Sequence, residues 1–249
     1  MTGALLEVRG LERRFGGLVA VAGVDLAVRD GEIRALIGPN GAGKTTLINL
    51  LSGFLPPTAG EVLWQGEPIA RWSVARRVRA GIARTMQVTS VFPNLSVHDN
   101  VWLGAQRRLR RLPALTDRRR LTDVAEWVGK CLALVGLENR AAEPAASIGH
   151  GDQRLLEIAI GLSLRPRLLL LDEPTAGMSV RESGDIVRRL KEIHRRDGIA
   201  MVIVEHDMQV VMELAQQVTV LHLGQTLAEG PPAEIGRNAD VQRVYLGGR

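Results

Sequence analysis

Apolar and polar residues alternate along the first part of the chain, with a period of two that is typical of strands with one buried face. This alternation predicts strands over Leu5–Arg9, Val24–Val28 and Glu61–Trp64, and the largely apolar stretch Ile33–Ile37 predicts another. Further predicted elements in this part are helices over Leu47–Leu51 and Ser73–Ala80 and a strand over Ile82–Met86.

The pattern changes between residues 88 and 164, where strand signals are absent. Ser96-x-x-Asp99 is a capping pattern that predicts the start of a helix, and Leu121–Val135 has helical periodicity. These features predict a helical insertion over residues 88–164.

Strands and helices alternate after the insertion. This order is typical of a mainly parallel sheet flanked by helices, so we expect a single α/β domain with its core over residues 1–87 and 165–249. The predicted strands are Leu168–Leu171, Ala200–Val204 and Val218–Leu223, and the predicted helices are Val180–Arg196 and Asp207–Gln216.

The composition indicates a globular protein that is soluble by itself. Of the 249 residues, 45% are hydrophobic and 24% are charged, which is ordinary for such proteins. No stretch approaches the 18 uncharged apolar residues of a membrane span, and the charged N-terminus is not a secretory signal. The single cysteine, Cys131, excludes an internal disulfide and is expected to be a buried apolar residue. We therefore expect a cytoplasmic protein.

The net charge of +5 depends mainly on arginine, and seven arginines lie between Arg107 and Arg120. A solvated helical face is the simplest interpretation of this segment, and contact with a membrane surface or a partner is the alternative. No aromatic residues interleave with the arginines for base stacking, so we expect no nucleic-acid partner.

The strongest chemical motif lies between the predicted strand Ile33–Ile37 and the predicted helix Leu47–Leu51. A strand, GxxxxGK[ST] and a helix form a phosphate-binding loop, because glycines let successive N–H groups converge on one anion at a helix N-terminus. Lys44 is expected to reach the β- and γ-phosphates, and the Thr45 hydroxyl to hold Mg²⁺. The motif consists of Gly38, Pro39, Asn40, Gly41, Ala42, Gly43, Lys44, Thr45 and Thr46.

A second motif is Leu168–Leu171 followed by Asp172 and Glu173. Four consecutive leucines suit a central parallel strand, and ligands of α/β sheets bind at the carboxyl ends of such strands. Asp172 is expected to hold Mg²⁺, and Glu173 to polarise the water that attacks the γ-phosphate.

With these motifs in this order, residues 5 to 247 resemble the ATP-binding subunits of ABC transporters. The resemblance adds Phe15, which corresponds to the aromatic residue that stacks on adenine, although a core position is the alternative. Gln87 corresponds to the glutamine that links Mg²⁺ to the membrane partner, and His206 to the switch histidine that touches the γ-phosphate. Residues 175–179 occupy the place of the loop that contacts the opposite subunit. The signature that completes the opposite subunit's site is represented by Ile148, Gly149, His150, Gly151 and Asp152.

The resemblance implies a P-loop NTPase core of RecA-like, ABC ATPase type, with a helical subdomain and an N-terminal antiparallel β subdomain. It implies an ATPase with ATP and Mg²⁺ as cofactors and Thr45, Gln87 and Asp172 around the metal. It also implies integral-membrane permease subunits docked near residues 88–105, a second ATP-binding subunit, a separate solute-binding protein, and a position on the inner face of the cell membrane.

Several stretches are similar to the branched-chain amino acid and urea importer ATPases, among them residues 15–21 and 204–208. Solute import of this type is therefore expected, and export, as in lipopolysaccharide export, is the alternative. A non-transport ABC ATPase acting on nucleic acid or ribosomes is less expected, because the chain has one phosphate loop and no long coiled coil. A module that only binds nucleotide for regulation is a third interpretation, and the presence of Glu173 and His206 argues against it.

The chain departs from the family pattern in its signature. Gly149 replaces the serine and Asp152 replaces the glutamine, while Ser179 stands where many members have aspartate. Gly149 retains a backbone donor and lacks the hydroxyl, and Asp152 adds a negative charge that is unfavourable unless it points away from phosphate. This favours a heterodimer over a homodimer.

Overall fold

The computed structural model describes residues 3–85, 91–106 and 118–246. Its strands are β1 Leu6–Phe15, β2 Leu18–Val28, β3 Ile33–Ile37, β4 Ala59–Trp64, β5 Glu67–Pro68, β6 Ile82–Arg84, β7 Leu168–Asp172, β8 Ala200–Val204, β9 Gln217–His222 and β10 Gln225–Gly230. Its helices are α1 Lys44–Ser52, α2 Val74–Ala80, α3 Val97–Ala105, α4 Arg118–Val135, α5 His150–Ser163, α6 Val180–Asp197, α7 Met208–Leu214, α8 Pro232–Ile235 and α9 Ala239–Leu246.

Over the described residues, the larger sheet has the strand order β10-β9-β3-β8-β7-β6. Its strands from β9 to β6 are parallel, and β10 pairs antiparallel with β9. Strands β3, β7 and β8 are buried at every position, as expected for a sheet covered on both faces. The predicted mainly parallel α/β core is confirmed.

The second sheet is antiparallel, with the order β2-β1-β4-β5 over the described residues. Its first two strands extend well beyond the predicted ends, because register shifts interrupt the alternation after Val8 without ending the pairing. The strands continue to a hairpin in which Phe15 is paired with Leu18. This sheet is the antiparallel β subdomain that the resemblance implied.

Helices α3, α4 and α5 pack together around apolar residues that include Val101, Val128, Leu132 and Leu156. Ser96 caps α3 as predicted, since its hydroxyl accepts a hydrogen bond from the Asp99 amide. Cys131 lies in this cluster, and burial raises the pKa of its thiol to about 12, which confirms its apolar role. The arginine-rich residues 107–117 lie outside the described residues.

The C-terminal part contains elements that were not predicted, namely β10, α8 and α9. The helix expected over Asp207–Gln216 is shorter: Asp207 caps α7, and the chain is already extended at Ala215 before β9. Along the described part of the chain, no helix combines the length and the apolar character needed to cross a bilayer.

Candidate active site

The chemically important residues lie at one edge of the parallel sheet. Strand β8 is hydrogen-bonded between β3 and β7, and its residue Val204 is in register with Leu36 on one side and Asp172 on the other. All three strands therefore end at the same edge, where their following loops meet. These loops carry the phosphate-binding motif, the carboxylates and the histidine.

At two glycines, the phosphate loop lies so close to the neighbouring backbone that a residue with a side chain would not fit. A Cβ atom at Gly38 would lie 2.2 Å from the Leu221 carbonyl oxygen, and one at Gly43 would lie 2.4 Å from the Ala20 carbonyl oxygen. Both glycines have positive φ angles, of 151° and 101°. Glycine is thus required at both positions. Gly43 also precedes α1, whose first turn has no side-chain cap among the described residues and whose N–H groups point toward the loop.

Lys44 lies inside the curve of this loop, with its side chain buried. Its ammonium group donates hydrogen bonds to the carbonyl oxygens of Gly38, at 2.7 Å, and Pro39, at 2.9 Å. Burial lowers the pKa of Lys44, and the carboxylates of Glu173 and Asp172 partly oppose this effect. The cation therefore lies in the field of both carboxylates, at the place where phosphates are expected.

Asp172 is buried and only half satisfied. Its Oδ2 accepts a hydrogen bond from Arg84 at 2.9 Å, whereas its Oδ1 has no hydrogen-bond partner among the described residues. Arg84 also donates to Asn49 and Ser52 of α1, so that it ties the carboxylate to the helix after the phosphate loop. One carboxylate oxygen is thus fixed by a cation, and the other is left for a ligand.

A magnesium ion fits this arrangement. Carboxylate and hydroxyl oxygens are the ligands that Mg²⁺ prefers, and it usually retains waters and binds substrate phosphates as well. The buried, unpartnered oxygen of Asp172 and the exposed Thr45 hydroxyl at the start of α1 are such groups. Over the described residues no group of three or more His, Cys, Asp or Glu is placed to hold a metal ion. Gln87, the other expected contributor, lies outside the described residues.

Glu173 and His206 are brought together by the two loops. His206 Nε2 lies 2.6 Å from Glu173 Oε1, and the Glu173 amide donates to the Val204 carbonyl oxygen at 3.0 Å. Glu173 has a positive φ of 50°, which is strained for a residue with a Cβ. The sequence motifs named both residues but did not indicate that they touch.

Glu205 precedes His206 and is buried, with 3% of its surface exposed. Its Oε1 accepts hydrogen bonds from the Thr175 hydroxyl, at 2.7 Å, and the Thr175 amide, at 3.2 Å. Its Oε2 accepts from the His206 amide at 3.2 Å. Burial raises the pKa of Glu205, and the hydrogen bonds from Thr175 and His206 oppose this effect.

Phe15 lies at the tip of the β1–β2 hairpin with 43% of its surface exposed. The Arg13 guanidinium lies 4.6 Å from the centre of its ring. The alternative that Phe15 is a core residue is therefore wrong. The hairpin adjoins the phosphate loop, because Ala20 of β2 limits the space at Gly43.

The signature segment begins α5. Gly149 is the N-cap, with extended backbone angles of −62° and 161°, and both it and His150 are exposed, whereas Ile148 is buried. No hydrogen bond joins residues 148–152 to the phosphate loop within the described part of the chain. Completion of a second subunit's site by this segment stays a prediction.

Asp152 lies in the first turn of α5 and pairs with Arg140. Arg140 also holds Glu143 through two hydrogen bonds, at 3.1 and 2.9 Å. The charge of Asp152 is thus offset by a guanidinium and by the helix N-terminus. The pairing with Arg140 reduces the unfavourable effect that the Asp152 charge was expected to have near phosphate.

The loop after the carboxylates leads into α6. The Ser179 hydroxyl accepts a hydrogen bond from the Glu182 amide, and the Glu182 carboxylate accepts one from the Ser179 amide, which is a capping box. Serine and aspartate are both preferred at this position, so Ser179 retains the capping role that aspartate would have. Val180, the next residue, is 88% exposed.

Sequence reasoning missed Arg84, Arg140 and Glu205. Both Arg84 and Glu205 had a visible signal, since Arg84 interrupts the predicted strand Ile82–Met86 and Glu205 directly follows an apolar strand. The partner of Arg140 is 12 residues away in a different element, so its role had no local signal.

Comparison with known protein families gives two matches. Residues 21–176 match the family described as ABC transporter, and residues 225–249 match the family described as branched-chain amino acid ATP-binding cassette transporter. The chain is 37% identical to the high-affinity branched-chain amino acid transport ATP-binding protein BraF of Pseudomonas aeruginosa, over 99% of both chains. It is 36% identical to LivG, the protein of the same description in Escherichia coli K12, again over 99% of both.

Solved structures agree with the fold. The ADP conformation of MJ1267, an ATP-binding cassette of an ABC transporter, superposes with a TM-score of 0.86 at 27% identity, covering 99% of this chain and 100% of that one. A nucleotide-free ATP-binding cassette from an ABC transporter gives a TM-score of 0.85 at 27% identity, over 97% of this chain and 98% of that one.

Proposed function

The chain belongs to the ABC transporter family of ATP-binding subunits, and we propose that within this family it drives the import of branched-chain amino acids. It is an ATPase of P-loop fold, as its family match and its relatives imply. The observation that carries the substrate class is the similarity to BraF and LivG over the whole chain. The match of the C-terminal residues 225–249 supports the same class.

Nucleotide binding is assigned to the phosphate loop and to Phe15. The loop amides and the N-terminus of α1 would bind the phosphates. Lys44 would exchange its bonds to Gly38 and Pro39 for bonds to phosphate oxygens, which are better acceptors because they are charged. The exposed ring of Phe15 would stack on adenine.

Magnesium is assigned to Thr45 and Asp172, with Gln87 as a further contributor. When bound, the ion neutralises charge on the β- and γ-phosphates. Arg84 would keep the Asp172 carboxylate oriented, because it occupies Oδ2 and leaves Oδ1 toward the site.

Hydrolysis is assigned to the pair of Glu173 and His206. Glu173 would accept a proton from the water that attacks the γ-phosphorus, and Lys44 would stabilise the negative charge that develops on the phosphate. His206 would hold the Glu173 side chain in place and contact the γ-phosphate. The buried position of Lys44 strengthens its effect on nearby charge.

Two ATP-binding subunits would close head to tail around the nucleotides. The phosphate loop of each would face the signature of the other, residues 148–152 here. A second, different subunit is proposed because Gly149 lacks the signature hydroxyl. Contacts between the subunits would include residues 175–179 and the exposed Val180.

Closure would move permease subunits in the membrane. The segment proposed to dock them, residues 88–105, presents Phe92 and Leu103 with 57% and 44% of their surfaces exposed. Exposed apolar residues of this kind suit contact with a permease. The protein would thus lie on the inner face of the cell membrane, with a separate solute-binding protein delivering the amino acid.

The matches do not favour export, because the full-length relatives named above are branched-chain amino acid transport proteins. A nucleic-acid or ribosome-associated ATPase has no support among these relatives. Pull-down of the chain from detergent-solubilised membranes tests the class directly: co-purified polytopic subunits are expected, and ribosomal proteins or nucleic acid would contradict the proposal.

Substrate class is tested by uptake of labelled leucine in cells that depend on this chain. We expect uptake with the wild type and loss with Lys44→Ala, because the phosphates lose their buried cation. Lys191→Ala is the matched control, since Lys191 is exposed and bonds to Glu213 on α7, outside the phosphate loop. Equal leucine uptake with the Lys44 variant and the wild type would overturn the proposal.

A further inference from the structure

Glu205 is a buried acid that no step of the proposed hydrolysis uses. It shares a small and mainly apolar pocket with Ile203, Val210 and Leu214, and only 3% of its surface is exposed. A carboxylate in such surroundings is costly unless hydrogen bonds satisfy it. The hydrogen bonds that satisfy the Glu205 carboxylate therefore indicate its structural role.

Those bonds join two segments of chain that are separated by 30 residues. One oxygen binds the hydroxyl and amide of Thr175, and the other binds the amide of His206. Thr175 lies two positions after Glu173, and His206 is the partner of Glu173. The carboxylate of Glu205 is thus a clamp between the loops that carry the two reactive side chains.

The clamp adds to other bonds of these loops, since the Glu173 carbonyl oxygen accepts hydrogen bonds from the Ala176 amide, at 3.1 Å, and from Arg154, at 3.5 Å. The Glu173 backbone is strained, with φ at 50°, and a strained conformation persists only where its surroundings hold it. The bond from the Glu173 amide to the Val204 carbonyl fixes the start of the loop, and the Thr175–Glu205 bonds fix its continuation. His206 is exposed on its outer side, so the bond to its amide anchors its position.

We propose that Glu205 is a positioning residue for ATP hydrolysis, which holds Glu173 and His206 at hydrogen-bonding distance through Thr175 and the His206 amide. This inference rests on the proposed roles of Glu173 and His206. It predicts a much larger effect on turnover than on nucleotide binding, because in the described part of the chain Glu205 has no hydrogen bond to the phosphate loop or Phe15, to which most of the binding is assigned.

Glu205→Gln tests the clamp with the least change in shape. The amide NH₂ replaces one carboxylate oxygen, so either the Thr175 amide or the His206 amide loses its acceptor. In the full-length chain we expect the kcat for ATP to fall about tenfold, while the ATP dissociation constant from equilibrium titration stays within about twofold. An unchanged kcat, or parallel losses in kcat and affinity, would overturn the proposal.

Glu32→Gln is the matched control for burying an amide in place of a carboxylate. Glu32 is 5% exposed and accepts one hydrogen bond at each oxygen, from Arg34 and from the Arg29 amide. It precedes β3, at the opposite end of that strand from the phosphate loop. We expect it to lower thermal stability without changing kcat. A drop in kcat equal to that of the Glu205 variant would show that general loosening is the cause.

Thr175 provides a second route if the Glu205 variant does not fold. Thr175→Val removes the hydroxyl bond, whereas Thr175→Ser retains it. We expect kcat to fall several-fold in the first variant and to stay near wild type in the second. The double variant Glu205→Gln, Thr175→Val is expected to lose less than the product of the two single losses, since both variants weaken the same link between the loops.

Failure of this inference is distinguishable from failure of the proposed function. If Glu173→Gln abolishes hydrolysis and Glu205→Gln does not alter it, the active site stands and the clamp is wrong. If the wild-type chain hydrolyses no ATP with its membrane and ATPase partners present, the proposed function itself is wrong.

Discussion

The side chains of Glu173 and His206 meet at 2.6 Å between the loops that follow the neighbouring strands β7 and β8. Since β8 lies between β7 and β3, the pair stands beside the phosphate loop that follows β3. Burial lowers the pKa of the Lys44 ammonium, and the carboxylates of Glu173 and Asp172 oppose this effect. An acid, a hydrogen-bonding histidine and a buried cation are thus assembled around one position.

Glu173→Gln is expected to separate ATP binding from hydrolysis. Glutamine has the same shape and can still hydrogen-bond to His206, but its amide cannot accept the proton of the attacking water. We expect turnover to fall by about 10²- to 10⁴-fold, the usual contribution of a general base, with ATP still bound and a closed dimer accumulating. Phosphate release and size-exclusion chromatography with ATP measure both effects.

Glu213→Gln is the control for this variant, because Glu213 is an exposed acid that pairs with Lys191 on the protein surface. It should hydrolyse ATP as the wild type does. Turnover of Glu173→Gln at a near wild-type rate would require that another group orients the water.

The phosphate loop and the acidic strand end were predictable because their chemistry depends on residues that are adjacent in sequence. Gly38 and Gly43 are examples, because close backbone contacts require glycine at both positions. The motif already specifies glycine at these two positions. The carboxyl ends of parallel strands likewise follow from the order of strands and helices. The fold class was confirmed for the same reason.

The connections between these motifs were not predictable. The bond between Arg84 and Asp172 spans 88 residues, and the bonds of Glu205 to Thr175 span 30 residues. Such contacts depend on which strands are neighbours in the sheet, and local patterns do not contain that order. The predicted end of β1 was too early, because the pairing continues through register shifts. Helix α9 was not predicted because it is a short C-terminal helix.

Phe15→Ala is expected to weaken ATP and GTP binding alike. Stacking uses the face of a base and no hydrogen-bond edge, and it is worth roughly 1–3 kcal/mol, so both dissociation constants should rise by about 5- to 150-fold. The exposed ring contributes little to folding, so the melting temperature should change little. Equilibrium titration with both nucleotides measures the effect.

Leu18→Ala is the control for the hairpin, since Leu18 pairs with Phe15 and is 67% exposed. It should bind both nucleotides with unchanged affinity. If Phe15→Ala also binds them normally, the ring does not stack on the base.

Arg140→Ala is expected to slow hydrolysis in the site that this chain's signature completes. Without the guanidinium, only the N-terminus of α5 would offset the charge of Asp152 near the phosphates of the opposite subunit. We expect turnover of the assembled dimer to fall several-fold, and more so at low salt, where charge repulsion is less screened. Asp152→Asn in the same chain should restore the rate, because it removes the charge that Arg140 balances. A loss that Asp152→Asn does not restore would show that Arg140 acts through Glu143 or through folding.

Gly149→Ser is expected to raise the rate at which the chain hydrolyses ATP alone. In a homodimer both sites would be completed by a signature without a hydroxyl, and a hydrogen bond to a charged group contributes about 1.5–3 kcal/mol. If that bond is made mainly in the transition state, restoring it should speed turnover by roughly ten- to a hundredfold. The backbone at Gly149 has N-cap angles that serine favours, and no atom lies within 4 Å of the added Cβ, so the variant introduces no strain.

Gly184→Ser is the matched control for Gly149→Ser, because Gly184 lies in α6 and its added Cβ also meets nothing within 4 Å. It should leave lone-chain turnover unchanged. The backbone amides of Gly151 and Asp152 remain available to the γ-phosphate in every variant, so they could bind it without the serine hydroxyl. Equal turnover of wild type and Gly149→Ser would mean that these amides suffice and that the missing hydroxyl does not limit the chain. A gain confined to Gly149→Ser would instead explain why this chain needs a second cassette: a different subunit supplies the hydroxyl that faces Lys44 and Glu173.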